Sequence, residues 1–396
     1  MKYKITAIIL SVFLAVTSSM YIWNFGASLA NDISKNGMSF GAIKSAILRL
    51  RNNDAEYMPF EKAYINTNGA YHLITGKNFV NDTFFQVAKL ENGYLTFAGN
   101  SKKEFETEPL VRKTDALNKY LERNNIGFLY VQAPEKVCRF DENILPTGIY
   151  SSNVDESVLL SEFEKNNINY IDIEAEIHSK NLNHYSMFYK TDHHWNNNAG
   201  FWANKLICDK LAKDYDLGID SDLYSEELYK TEKHKDCFIG TQGSRVGLVF
   251  SPVDDIEFIY PTFETDLTIS FDDEKRRGSF YNTMFSMEHF TEKAVLSDKD
   301  YVVYSGGDYA LQTIINHKNP NGPKIVVIRD SFARVVTPYL SLTCSELHIL
   351  DVRYFDDMSA AEYAVSIGAD AVVVLYNPGM IVEPGAFDFT PEDFTE

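Results

Sequence analysis

Five short apolar runs, spaced by stretches of helical periodicity, constrain the fold of this chain more than any other feature. In the first half, a helical segment around Val111 to Arg123 passes through Asn124-Asn125 into the run Ile126 to Val131, and a second helix around Asp155 to Lys165 passes through Asn166-Asn167 into Tyr170 to Ile173. Near the C-terminus come Lys324 to Ile328, a helix from about Phe332, Leu347 to Leu350, a helix near Ser359 to Ile367, and Ala371 to Tyr376. Parallel neighbours in a sheet need a crossover long enough to hold a helix, so this alternation reads as βα units. Four of the runs are continuously apolar rather than alternating, as expected of strands covered by helices on both faces. The expected fold is α/β with a largely parallel, five-stranded sheet over residues 101–396.

Two regions break that rhythm. From Asn31 to about Gly99 the chain is turn-rich, with Asn66-Thr67-Asn68-Gly69, Gly76-Lys77-Asn78 and Glu91-Asn92-Gly93 between aromatic and β-branched runs; residues 31–100 read as a lead-in segment with short strands. Residues 214–301 are richer in charge and aromatics and less periodic. They read as an insertion or a lid over the sheet edge, because long connections in α/β domains usually carry function.

The N-terminus carries an export signal. Lys2 and Lys4 precede a mostly apolar stretch from Ile5 to Phe25 that ends with Tyr21 and Trp23. The lysines hold that end in the cytoplasm and place everything after it outside. The stretch approaches the ~20 residues that span a bilayer, which favours a retained anchor over residues 1–30, although Ser28 and Ala30 would suit a signal peptidase.

Composition narrows the function classes. The formal charge of −19 sets 37 Lys and Arg against 56 carboxylates, which leaves no cationic face for nucleic acid. Cys138, Cys208, Cys237 and Cys344 are too scattered for a disulfide scaffold and form no C-x-x-C pair. Cys208 reads as a small core residue, and a Cys138 to Cys237 bridge is permitted outside the cell but not implied by spacing.

The chemistry concentrates in two segments. In Tyr189-Lys190-Thr191-Asp192-His193-His194-Trp195, two histidines adjoin an aspartate ahead of a helix capped at Asn197 or Asn198, with Ala203, Leu206, Ile207 and Leu211 on one face. In an extended loop Asp192 and His194 point one way and His193 the other. A carboxylate that fixes an imidazole tautomer is half of a nucleophile-activating arrangement. The other half is offered by Ile328-Arg329-Asp330-Ser331-Phe332, where Ser331 ends a buried strand at the carboxyl edge of the sheet and its N–H, at the start of a helix, can donate to an oxyanion. Each segment has a plainer alternative. Asp330-Ser331 could simply cap a helix, and the Asp-His-His run could be core polar residues or metal ligands, although contiguous ligands are geometrically poor.

Thr191-Asp192-His193-His194-Trp195 resembles the signature of the bacterial DHHW proteins, relatives of the alginate O-acetyltransferase family, whose catalytic domain is SGNH hydrolase-like. The resemblance runs from about Tyr57 to the C-terminus through Pro134-Glu135-Lys136, Gly240-Thr241-Gln242-Gly243-Ser244-Arg245, Ser305-Gly306-Gly307-Asp308-Tyr309, Asp330-Ser331-Phe332 and Asp351-Val352-Arg353. It implies a three-layer α/β/α fold of circularly permuted motif order, with Asp192, His194 and Ser331 catalytic. Arg329 stands where the acetyltransferases have glycine. By the same resemblance, Asn377 and Arg353 lie at strand ends that help hold an oxyanion, although Asn377-Pro378-Gly379 also reads as a turn. Asp330, Arg245 and His193 complete the candidate oxyanion or substrate residues.

The function so implied is acyl transfer, with acetyl as the group, through an acyl-Ser331 intermediate to a sugar hydroxyl of a cell-surface polysaccharide. A membrane-bound O-acyltransferase would supply the acyl group from inside, and neither a metal nor an organic cofactor is expected. An esterase that uses the same serine and a non-catalytic glycan-binding or assembly protein on the same fold are the rival readings.

Overall fold

The computed structural model describes residues 2–36, 43–44, 59–81, 86–99, 105–141, 144–145, 150–151, 156–272, 274–293, 300–391 and 394. Tyr57, where the resemblance begins, and Asp155, where the second helix was expected to start, lie outside them.

Strands β1 (Phe79–Asn81), β2 (Gln86–Lys89), β3 (Leu95–Gly99) and β5 (Tyr150–Ser151) form a small sheet of their own, and the five apolar runs become strands β4 (Gly127–Gln132), β6 (Tyr170–Asp172), β12 (Lys324–Arg329), β13 (Glu346–Leu350) and β14 (Ala371–Tyr376). They pair in parallel in the order β13-β12-β14-β4-β6. Period-2 geometry sends alternate residues of each strand to opposite faces. Leu129, Val131, Ile325, Val327, Val373 and Leu375 face one core with Ala203, Ile207 and Leu211 of helix α6, which spans Asn197–Tyr215. Phe128, Tyr130, Val326, Ile328, Val372 and Val374 face the other, under Leu117, Leu121, Leu159, Phe163 and Ala364. The last five belong to helices α3 (Thr107–Arg123) and α4 (Glu156–Lys165) and to the helix Ala360–Ser366. The result is a three-layer α/β/α sandwich, with the carboxyl ends of β12 and β14 adjacent.

The sheet is eight-stranded rather than five-stranded. Strands β11 (Leu311–Asn316), β9 (Leu267–Phe271) and β10 (Glu274–Gly278) extend it antiparallel beyond β13. They escaped the sequence count because β11 alternates burial along its length and β10 is mostly exposed and charged, neither of which gives a continuous apolar run. The rest of the stretch 214–301 holds a two-stranded sheet of β7 (Tyr229–Phe238) and β8 (Asp254–Pro261), with the short helix α7 (Thr241–Val246) between them.

Two local expectations fail. Asn66-Thr67-Asn68-Gly69 is not a turn but lies within helix α2 (Glu61–Ile74). Tertiary contacts override the local propensity: a Cβ on Gly69 would come within 2.0 Å of the Val246 carbonyl oxygen, and Leu248 N donates to Asn66 Oδ1 at 2.7 Å. The segment after Ser331 is a 3-10 turn, Ser331–Val335, followed by one short helix, Thr337–Leu340, instead of a full helix. Turns at Gly76 and Gly93 are present, both at positive φ.

Helix α1 (Lys2–Asn36) has 35 residues. Within it Leu10–Lys35 is long and apolar enough to cross a membrane, and Ile8, Val12, Ile22 and Trp23 are exposed.

Candidate active site

Asp330 performs the capping role that Asp330-Ser331 left open: Phe332 N donates to Asp330 Oδ1 at 2.7 Å. The serine is thereby left for other work. Ser331 Oγ lies 2.7 Å from His194 Nε2, and His194 Nδ1 lies 2.6 Å from Asp192 Oδ1. A neutral imidazole that donates from Nδ1 to the carboxylate presents a lone pair at Nε2, which accepts the serine proton. Ser331 heads its turn, so its backbone N–H has no partner within that turn.

Asp192 is buried and over-determined. Its Oδ1 also accepts His194 N at 2.9 Å, and its Oδ2 accepts Thr241 N at 2.7 Å. Burial pushes this carboxyl up, but the neighbouring His194 and His193 and the bonds from His194 hold it well below the ordinary carboxylate range. Gly240 makes the approach possible, since a Cβ there would sit 2.2 Å from the Asp192 Cβ. Asp254 fixes the residues before the motif, accepting Lys190 N at 2.9 Å and Thr191 Oγ1 at 2.7 Å, while Thr191 Oγ1 accepts Gly240 N at 2.9 Å. Trp195 ties the two halves together by donating from Nε1 to Phe332 O at 2.7 Å. The helix that follows is capped by Asn196, ahead of the expected Asn197 or Asn198.

His193 does not point away from its neighbour. Residues 191–194 bend rather than extend, and the two imidazole centroids lie 3.8 Å apart. His193 Nδ1 is 2.9 Å from Thr241 Oγ1, and burial and His194 depress its pKa although 36% of the side chain reaches solvent. Together with Phe97, Lys136, Gln242, Phe332 and Asn377 it lines a cavity of about 70 Å³ beside the Ser331 turn.

The ligand-type atoms of Asp192, His193 and His194 do fall within 4.8 Å of one another. The bonds to Ser331, Thr241 and the Asp192 carboxylate already engage both nitrogens of His194 and Nδ1 of His193, which is a poor starting point for coordination.

Asn377 is both turn and wall. Its N and Nδ2 donate to Asp330 Oδ2 at 2.6 and 2.7 Å, and its Oδ1 accepts Gly379 N at 2.6 Å, which leaves one amide hydrogen. Asp330 itself is pushed up by burial against these bonds. Arg353 is engaged elsewhere, in a bidentate pair with Asp351 at 2.8 and 2.6 Å. Neither it nor Arg245, which lies on α7, lines the cavity. Arg329 replaces glycine without strain, since its φ is not positive. Its buried guanidinium bonds Asp308 Oδ1 at 2.7 Å, as does that of Arg334.

Sequence reasoning assigned no role to Tyr301, Lys136, Gln242, Thr241 or Asp254. Tyr301 stacks on His194 with centroids 3.8 Å apart and planes at 7°. Lys136 is buried, and its Nζ donates to Leu95 O at 2.8 Å and Gln242 Oε1 at 2.7 Å; burial lowers it to about 7 against the pull of Asp192 and Asp254. Lys136 lies in Pro134-Glu135-Lys136 and Thr241 and Gln242 in the Gly240–Arg245 motif, whereas Tyr301 and Asp254 give no local signal.

Residues 96–236 match the family model described as the SGNH hydrolase-like domain of acetyltransferase AlgX. Among solved structures, PatB1 of Bacillus cereus with a sulfonyl adduct is 18% identical, covers 79% of this chain and 99% of its own, and superposes with a TM-score of 0.62. A DHHW family protein from Eubacterium siraeum is also 18% identical, over 79% of this chain and 97% of its own, with a TM-score of 0.57. No curated protein matches in sequence. The resemblance carried by the motifs therefore holds in the domain model and in the fold.

Proposed function

We propose that this chain is an extracytoplasmic serine O-acyltransferase that acetylates a cell-surface polysaccharide. The observation that carries the reading is the unbroken line from Asp192 Oδ1 through His194 to Ser331 Oγ, with links of 2.6 and 2.7 Å. In this account His194 takes the Ser331 proton as Oγ attacks the carbonyl carbon of an acetyl donor. The tetrahedral oxyanion is met by Ser331 N–H and the remaining Asn377 amide hydrogen. Collapse expels the donor's leaving group, which takes the proton from His194, and leaves acetyl on Ser331. A sugar hydroxyl then gives its proton to His194 as its oxygen attacks the acyl-serine; collapse releases the acetylated sugar, and His194 returns the proton to Ser331 Oγ, which restores both residues. Asp192 stays ionised throughout and stabilises the imidazolium.

The match to an acetyltransferase domain model supports acetyl transfer. Helix α1 supports attachment to the outer face of a membrane, beside a membrane-bound O-acyltransferase that delivers the acetyl group. Incubation with an activated acetyl ester and a panel of bacterial surface glycans tests transfer. Ester-linked acetyl on the glycan is the expected product; free acetate alone, at an unchanged rate with every glycan, would assign the site to hydrolysis.

A further inference from the structure

Away from Ser331, the loop that follows β4 takes part in a second convergence of reactive side chains. Cys138 lies in this loop, Glu174 in the first turn of helix α5 (Ile173–Ser179), and His184 at the head of the 3-10 turn His184–Met187. All three are buried, and Sγ, a carboxylate oxygen and an imidazole nitrogen lie within 4.8 Å of one another. His184 Nε2 is 2.8 Å from the Glu135 carbonyl oxygen, which makes it the protonated nitrogen and leaves Nδ1 with a bare lone pair. That Nδ1 is buried without a hydrogen-bond partner among the described residues, on a side chain whose residue is only 8% exposed. A buried acceptor left unsatisfied in this way calls for a partner.

The surroundings have the features of a metal shell. An imidazole that donates its other N–H to a backbone carbonyl is held in the tautomer and orientation a ligand needs. Glu174 is oriented in the same manner, accepting Arg139 N at 2.7 Å and Glu135 N at 3.4 Å. The guanidinium of Arg139 is paired with Glu156 and Asp172, and it only partly offsets the upward push that burial and Glu156 give the Glu174 carboxyl. The Tyr185 hydroxyl lies beside the cluster: burial raises its pKa, a hydrogen bond with the Cys138 backbone lowers it, and the charges of Cys138 and Glu174 are felt as well.

We propose that Cys138, Glu174 and His184 bind one divalent transition-metal ion, with zinc as the best match. A thiolate, a carboxylate and a neutral imidazole supply two negative charges and the mixed sulfur, oxygen and nitrogen set that zinc accepts in tetrahedral geometry. Water takes the fourth position, where the Tyr185 hydroxyl can bond to it. Binding is a ligand exchange: the thiol proton passes to solvent and the ion sheds water, with no change of oxidation state. The ion joins the loop holding Glu135 and Lys136, which line the cavity beside Ser331, to the start of α5 and to the turn that leads into Asp192 and His194. Its role is to brace that loop, and no step of the acyl transfer passes through it.

The test is titration of the reduced, metal-stripped full chain with Co²⁺ and then Zn²⁺. One equivalent of Co²⁺ is expected to give a sulfur-to-cobalt charge-transfer band that Zn²⁺ abolishes, and Zn²⁺ is expected to raise Tm. Cys138→Ser should lose the band, and His184→Gln should weaken Zn²⁺ binding by about 100-fold, at the upper end of what loss of a supporting partner alone costs. Wild-type protein without a charge-transfer band overturns the site, even if a variant fails to fold. So does a band that survives in Cys138→Ser, which would assign the ion to another cysteine.

Discussion

The Tyr301 ring lies flat against the His194 imidazole, with centroids 3.8 Å apart and planes 7° from parallel, while its buried hydroxyl has no hydrogen-bond partner among the described residues. The ring fixes the imidazole plane and offers a π face to the imidazolium that forms during acyl transfer. The hydroxyl contributes nothing to either. Tyr301→Phe should therefore retain kcat and gain about 1 kcal/mol in chemical unfolding by removing an unsatisfied group. Tyr301→Leu should lower kcat roughly tenfold or more with a smaller change in KM, the mark of an interaction strengthened in the transition state. Equal kcat for Tyr301→Leu and wild type would exclude the positioning role.

Gly240 has no room for a methyl group, since its Cβ would sit 2.2 Å from the Asp192 Cβ and 2.3 Å from Asp192 Oδ2. Gly240→Ala should cost about 1–3 kcal/mol by overpacking and displace the carboxylate from His194. Steady-state kinetics on the folded variant should show a large fall in kcat. A variant as active as wild type would show that the loop can shift without moving Asp192.

How much of this was legible in the sequence depended on the range of the signal. Ile325 and Val327 on one face and Val326 and Ile328 on the other announce a doubly covered strand within six residues, so the parallel half of the sheet could be read directly. Ser331 and the Asp192-His194 pair could be read because each sits at the end of such a strand or ahead of a helix. The stack of Tyr301 on His194 could not, because it joins a 3-10 turn at 300–303 to a loop more than a hundred residues earlier. Helix α2 was hidden for the same reason, its Asn66 and Gly69 being held by Leu248 and Val246 rather than by local propensity. The direction of His193 was misread because strand alternation was applied to a bent loop.

Asp308 holds two buried guanidinium groups, accepting Arg329 and Arg334 at 2.7 Å each on the same oxygen. Burial raises its carboxyl, but the two arginines outweigh burial and bring it down from 3.8 to about 2. A folded pKa below the unfolded one gives stability that is fully present above pH ~4 and lost as pH falls towards about 2. Asp308→Asn leaves both arginines unpaired and should destabilise the protein at pH 7 by about 3 kcal/mol, the lower end for a buried pair because the aspartate is partly exposed. Urea unfolding at several pH values should show the difference from wild type narrowing between pH 4 and 2. A constant difference would assign the effect to packing.

Asp192→Asn keeps the side-chain shape but removes the charge and favours the wrong histidine tautomer. A fall in kcat of about 10⁴ is expected, together with a lower Tm, because the neutral amide turns one oxygen that accepted an N–H into a donor. Retention of more than a tenth of wild-type kcat would mean that Asp192 serves the fold and not the reaction.

The central claim is that Ser331 carries the acyl group, and intact-mass and peptide mass spectrometry after brief exposure to an activated acetyl ester measures this most directly. The account predicts one added acetyl group per chain, mapped to Ser331, absent in Ser331→Ala and strongly reduced in His194→Ala. Turnover by wild type with no adduct, or an equal rate in Ser331→Ala, would contradict it.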